Sequence, residues 1–119
     1  IDVKVSKRAL HEIYFPAFEA SVKEAGVLTV MAAYNQVNGK PSTESSYMMI
    51  DILKKRWGFQ GFVMSDWDAV GKTLEPMKAG LDMEMPEGTF MGEAKLLPLV
   101  KSGQITQAEV DDKVRRILW

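Results

Sequence analysis

The chain has 119 residues, 46% hydrophobic and 26% charged, with a net charge of −1, the composition of one globular domain and too apolar for disorder. Its Lys and Arg residues are spread along the chain, which argues against a nucleic-acid footprint or a basic membrane patch. There is no cysteine and one histidine, His11, which excludes disulfides and leaves no set of residues for a thiolate or histidine zinc cluster.

No apolar run approaches the roughly 20 residues of a membrane span. No Asn-x-Ser/Thr sequon or signal peptide occurs in the chain. The sequence starts at Ile1 and ends at Trp119 inside a helical pattern, so it reads as a piece of something longer.

Residues 6–25 form the first predicted helix. Ser6 is its N-cap, and Leu10, Ile13, Tyr14, Phe18 and Val22 recur at helical spacing. Pro16 predicts a kink or two helices, and Gly26 a stop. Residues 27–33 read as a strand apolar on both faces, the pattern of a parallel strand covered on both sides. Tyr34 and Asn35 leave its end, and Asn38-Gly39 marks a turn.

A second helix is predicted over 43–57, with Met49, Ile52 and Leu53 inward. Glu44 suits its positive start, and Lys54, Lys55 and Arg56 suit its negative end. Gly58 stops it. Residues 61–66 are the second strand. A helix over 72–79 follows, with Pro76 in its first turn. Leu81-Asp82-Met83-Glu84-Met85 alternates strictly and reads as a third strand closed by Pro86. Residues 91–102 are helical with a break near Pro98. Thr106 and Glu109 form a capping box, opening a helix with Val110, Val114, Ile117 and Leu118 on one face.

Strands alternating with helices at this spacing predict an α/β fold of about three βα units with parallel strands. No Gly-rich phosphate loop follows any strand, which weakens a dinucleotide reading. Three βα units cannot close a (β/α)₈ TIM barrel, which takes about 250 residues. Three covered strands also leave two open edges. The chain is therefore a small open sheet or part of a larger one.

The run Gly61-Phe-Val-Met-Ser-Asp-Trp67 carries the chemistry. A buried strand holds Asp66 rigidly at its end, where a cleft can receive the carboxylate. Trp67 offers a flat apolar face of the kind that stacks on a sugar. A carboxylate beside an aromatic platform suits one side of a glycosidic bond. The alternative is that Asp66 caps the next helix and Trp67 is packing.

Further segments follow one another in order: Arg8-Ala-Leu-His-Glu-Ile-Tyr14 with Phe15-Pro-Ala-Phe18, then Val30-Met-Ala-Ala-Tyr-Asn-Gln-Val-Asn-Gly39. Trp57-Gly-Phe-Gln-Gly-Phe-Val-Met-Ser-Asp-Trp67 and Ala79-Gly-Leu-Asp-Met-Glu-Met-Pro86 come next, ahead of the capped helix after Thr106. Together these segments resemble glycoside hydrolase family 3, in its β-glucosidase branch. The resemblance implies a partial (β/α)₈ TIM barrel, with residues 1–119 as the second half of the family's N-terminal barrel domain. Asp66 then matches the catalytic nucleophile, and Trp67 an aromatic residue of the sugar subsites. Met31 and Tyr34 match residues beside the glycosyl unit, with the tyrosine hydroxyl close enough to bond Asp66 and hold it ionised. Core packing is the other reading of Met31 and Tyr34.

The implied reaction is retaining hydrolysis of terminal β-D-glucosyl residues from β-glucosides or cello-oligosaccharides, as in cellulose degradation, with no metal or organic cofactor. The early barrel strands and a C-terminal domain that supplies the acid/base are outside this chain. The isolated chain is accordingly expected to be inactive. The departure at Pro76, where the family commonly has a helix former, is minor. β-Xylosidase, β-N-acetylglucosaminidase or another exo-glycosidase specificity stays open, as does a non-catalytic sugar-binding or inactive barrel fragment. The resemblance admits a periplasmic or secreted enzyme, and the residues choose no compartment.

For the remaining acidic residues, Asp68 is expected to cap the next helix. Asp82 and Glu84 share one face of the third strand, where structural hydrogen bonding is the safer reading than a place in the cleft. His11 and Glu12 are expected to be solvated or packed.

Overall fold

The computed structural model describes residues 1–119. Ser6 Oγ accepts the Ala9 N–H at 3.1 Å and opens a continuous helical segment, α1, over 7–23. It runs through Lys7–Ala9, a wide π-type turn at Leu10–Tyr14, and Phe15–Lys23. The expected disturbance at Pro16 is taken up by that turn. Phe15 N–H reaches back to Leu10 O, so Pro16, with no N–H to give, starts the last segment without a clash. The chain turns away at Gly26, φ 65°.

Two strands form the sheet that matters for function. β2 (Thr29–Ala32) and β5 (Phe62–Ser65) pair in parallel, in register from Thr29↔Phe62 to Ala32↔Ser65. The helix between them, α2 (Tyr47–Arg56), is wound in the wide π form and follows a short 3₁₀ turn at Ser42–Glu44. It buries Met49, Ile52 and Leu53 as expected, against Ala32, Val63 and Trp57. Phe15 and Leu10 of α1 join this core, with the Phe15 and Trp57 rings edge to face at 5.5 Å. The chain then passes through α3 (Leu74–Ala79), α4 (Glu93–Lys101) and α5 (Gln107–Leu118). No helix is long and apolar enough to cross a membrane.

A small second sheet was not expected: β1 (Asp2–Val3), β3 (Gln36–Val37) and β4 (Lys40–Pro41). Two-residue strands are too short to show a period. Their hairpin is the predicted Asn38-Gly39 turn, with φ 53° and 83°.

Three expectations need correction. Within these 119 residues β2 is covered on one face only. Ala32 packs on the helices, whereas Thr29 and Met31 on the other face are exposed. An open apolar groove of about 370 Å³ runs beside β2, lined by Tyr14, Phe15, Phe18, Val30, Met31 and Met48 among others. The third strand shrinks to a single parallel bridge, Met64↔Met83. Asp82 causes this, because its side chain enters the ladder where a backbone carbonyl belongs. Helix α4 runs through Pro98 without breaking; the proline removes one intrahelical bond and three further residues follow.

In α5, the capping box of Thr106 and Glu109 forms as expected. The inward side, however, is not the whole apolar stripe. Lys113 is buried while Val114 and Ile117 are exposed. Arg116 Nη1 donates to Phe59 O and Gly61 O, both at 3.1 Å, so α5 docks on the entrance to β5 through cations.

Candidate active site

Asp66 is the first residue after β5, at the C-terminal end of a parallel pair, the end at which ligands bind in α/β sheets. Its backbone is held from both sides. Asp66 N–H donates to Ala32 O of β2 at 3.0 Å. On the other edge, Ser65 N–H donates to Met83 O at 2.9 Å and Asp68 N–H to Met85 O at 3.1 Å. Buried Ser65 adds a side-chain tie, its Oγ accepting Met85 N–H at 2.9 Å. Ala69 N–H closes the turn on Asp66 O at 3.2 Å.

The carboxylate itself is half-buried and accepts one hydrogen bond, from Trp67 N–H at 2.7 Å. The alternative that Asp66 caps the next helix does not hold, since that helix starts at Leu74. Asp68 does not cap it either. It adopts φ 56°, a left-handed turn residue with its side chain exposed.

Met31, Tyr34 and Trp67 emerge at this same end. Met31 pairs with Met64, so the period of two puts both on the sheet face away from the helices, with Asp66 two residues beyond Met64. Within this chain Met31 is 52%, Tyr34 65% and Trp67 52% exposed. The expected Tyr34–Asp66 hydrogen bond is not made. Tyr34 lies in the bend that leaves β2 and borders a polar pocket of about 260 Å³ with Glu44, Asp68 and Lys72. Glu44 faces Lys72 at 3.6 Å rather than serving only the start of α2.

The other carboxylates are structural. Asp82 is fully enclosed. It receives Lys54 Nζ on both oxygens, at 2.8 and 2.7 Å, and Val63 N–H at 2.9 Å. Lys113 Nζ stands 3.8 Å away and donates to Leu81 O at 2.6 Å. Burial pushes the Lys113 ammonium down to about 8, the Asp82 charge opposing and the Lys54 charge adding to the effect. Burial likewise lowers Lys54, again against the pull of Asp82. Glu84 accepts Phe90 N–H and Met91 N–H and so ties down the loop after Pro86. His11 Nε2 lies 2.8 Å from Tyr47 Oη, and Glu12 pairs with Arg8.

Lys54, Ser65 and Lys113 escaped the sequence reading. Lys54 is indistinguishable there from its neighbours Lys55 and Arg56. Lys113 did leave a signal: it falls within the Val110–Val114–Ile117 stripe, a cation on an inward helical position.

Residues 2–119 match the profile of the Glycosyl hydrolase family 3 N terminal domain. The chain is 42% identical over 118 residues to thermostable beta-glucosidase B of Acetivibrio thermocellus, covering 99% of this chain and 16% of that protein. It is 42% identical over 111 residues to an exo-alpha-(1->6)-L-arabinopyranosidase of Bifidobacterium breve, covering 93% and 14%. Its structure superposes on a GH3 beta-glucosidase of Bifidobacterium adolescentis with TM-score 0.93 at 36% identity, covering 99% and 17% of the two chains. Beta-glucosidase 3B of Thermotoga neapolitana in complex with glucose gives 0.90 at 38%, covering 99% and 18%. The chain thus spans about one sixth of the length of the relatives it matches.

Proposed function

The chain belongs to glycosyl hydrolase family 3, and from that premise we propose that it is the nucleophile-bearing second half of a (β/α)₈ barrel domain in a retaining β-glucosidase. Parallel β2 and β5, the parallel bridge at Met83 and the helices on one face of the sheet support the barrel reading. The open face carrying Met31 and Met64 is then the barrel interior. Asp66 attacks the anomeric carbon of a terminal β-D-glucosyl unit as the bond to the aglycone oxygen breaks. A carboxylic acid from another part of the enzyme, about 5–5.5 Å from Asp66, protonates that oxygen. Water, activated by the same group, then releases glucose. Trp67 and Met31 give the sugar apolar walls, and Tyr34 stands at the rim.

One observation carries this reading. Asp66 has a backbone fixed on both strand edges and a carboxylate that accepts only its neighbour's N–H. The test is intact-mass labelling of the full-length enzyme with a 2-deoxy-2-fluoro-β-glucoside bearing an activated leaving group. An adduct on the peptide containing Asp66 is expected; an adduct on another carboxylate refutes the assignment. The isolated chain, lacking the acid, should show negligible turnover of cellobiose.

A second specificity has an observation behind it. The arabinopyranosidase matches this chain at the same 42% identity as a β-glucosidase, so a pentopyranoside-cleaving enzyme with the same nucleophile is the second reading. A panel of aryl glucosides, xylosides and arabinopyranosides separates the two.

A further inference from the structure

The edge of β5 facing residues 81–85 does not follow a regular parallel ladder. With Met64 opposite Met83, Met83 N–H donates to Val63 O at 3.1 Å and Ser65 N–H to Met83 O at 2.9 Å, as a parallel pair requires. The next rung should run from Val63 N–H to Leu81 O. It does not. Val63 N–H goes to Asp82 Oδ2 at 2.9 Å, and Leu81 O is taken by Lys113 Nζ at 2.6 Å. Asp82 N–H joins Met83 N–H on Val63 O, at 2.9 Å, so two residues of one segment oppose one of the other. That is the arrangement of a β-bulge, a device that re-aims a strand. Lys54 neutralises the inserted carboxylate and takes Gly80 O at 2.7 Å. Every carbonyl displaced by the insertion thus has a cation as partner.

We propose that Asp82 is a positioning residue for Asp66: its carboxylate replaces a ladder rung, and so sets the register of residues 83–85 against β5. That register fixes three bonds bracketing Asp66: Ser65 N–H on Met83 O, Met85 N–H on Ser65 Oγ and Asp68 N–H on Met85 O. Asp82 never meets the sugar. It acts through the backbone of Met83 and Met85, one and three residues further on, and a misplacement of about 1 Å at a nucleophile costs on the order of 100-fold in rate. This rests on the reading of Asp66 as the nucleophile.

The test uses the full-length enzyme and two double variants that remove Asp82 together with its principal partner Lys54; both leave the Lys113 ammonium on Leu81 O, so they differ only in whether an acceptor for Val63 N–H remains. Asp82→Asn with Lys54→Met keeps an acceptor for Val63 N–H; Asp82→Leu with Lys54→Met removes it. The readouts are the rate of Asp66 labelling by the 2-fluoro-glucoside, the affinity for glucose and the urea midpoint. The Leu variant should label about 100-fold more slowly with glucose affinity within about threefold. The Asn variant should stay within about fivefold of the parent. A purely structural Asp82 would shift the urea midpoint while labelling per folded molecule stayed unchanged, and that result overturns the proposal. Equal losses in the Asn and Leu variants also overturn it, because then charge and not the rung matters. Should the Leu variant not fold, Ser65→Ala, which removes the Met85 tie alone, must slow labelling about tenfold; an unchanged rate sinks the idea. Failure of the nucleophile reading is separate, since the parent itself would then carry no label on Asp66.

Discussion

Gly61 offers a sharp test of how tightly β5 is seated. A Cβ on this residue would lie 1.9 Å from Leu28 O, 2.5 Å from its carbonyl carbon and 2.8 Å from its Cα. All three are backbone atoms, so no rotamer change relieves the contact. Relief requires moving the chain at Leu28, at the entrance to β2, by about 1 Å. That motion breaks the bond from Phe62 N–H to Leu28 O, now 3.1 Å. A lost hydrogen bond contributes about 1 kcal/mol and overpacking about 1–3 kcal/mol, so Gly61→Ala should cost about 2–4 kcal/mol. Gly58 is the control. It needs its glycine for φ 72°, but a Cβ there meets nothing within 4 Å. Gly58→Ala should therefore cost only the left-handed penalty, about 1–2 kcal/mol. Because the urea slope is common to both variants, the midpoint should fall about twice as far in Gly61→Ala as in Gly58→Ala. The assay is urea unfolding of the full-length enzyme by tryptophan fluorescence, with aryl-glucoside hydrolysis on the same samples. Activity should fall further in Gly61→Ala, because β2 also holds Asp66 N–H. If Gly61→Ala is tolerated as well as Gly58→Ala, the close approach of the two strands is wrong.

Asp66→Ala should lower kcat on the order of 10⁴-fold or more. Azide should restore turnover of an activated β-glucoside and yield the α-glucosyl azide; a β-configured product would place the nucleophile elsewhere. Glu109, held down to about 2 by Lys78, with Thr106 N–H and Oγ helping, stabilises the fold fully above its unfolded value near 4.5 and loses that contribution as pH falls through 2. Its side chain is 35% exposed, so solvent screening reduces the effect to about 1 kcal/mol; urea midpoints between pH 5 and 2 should fall less steeply in Glu109→Gln. Lys113 works in the other direction. Its native ammonium gives up its proton near 8, before the unfolded chain does near 10.5, so the unfolded state binds more protons in that window and stability rises with pH. Lys113→Met should flatten that rise, as read from urea midpoints at pH 7 to 10.

Where the sequence was legible, periodicity did the work. Ser6, the Met49–Ile52–Leu53 face of α2, the Asn38-Gly39 turn and the Thr106 capping box all rest on interactions within a few residues, and a local pattern reports them. What stayed hidden is decided across long separations. Asp82 and Lys54 are 28 residues apart, and Lys113 donates to a carbonyl 32 residues away. Alternation in 81–85 read as a strand because a period of two cannot tell a side chain that points outward from one that folds into the ladder. Similarly, an apolar run does not say whether both faces of β2 find cover, because cover comes from whatever else packs there. Asp66 was legible for another reason: a polar residue directly after a buried strand is placed by the strand itself.

Four carboxylates near this end of the sheet are distinguished by what they have left to offer. Asp82 is saturated by Lys54 and Val63 N–H, with Lys113 beside it. Glu84 spends both oxygens on Phe90 and Met91 N–H. Neither can turn a lone pair on a substrate without undoing the fold. Asp66 accepts one bond, from the residue that follows it, while its backbone is tied to Ala32 directly and to Met83 and Met85 through its neighbours. Asp68 has a free carboxylate too, yet it sits past the strand on an exposed left-handed turn. A nucleophile needs a fixed position and an unspent oxygen together. Within this strand end only Asp66 has both, and the polar insertion at Asp82 is one source of the first.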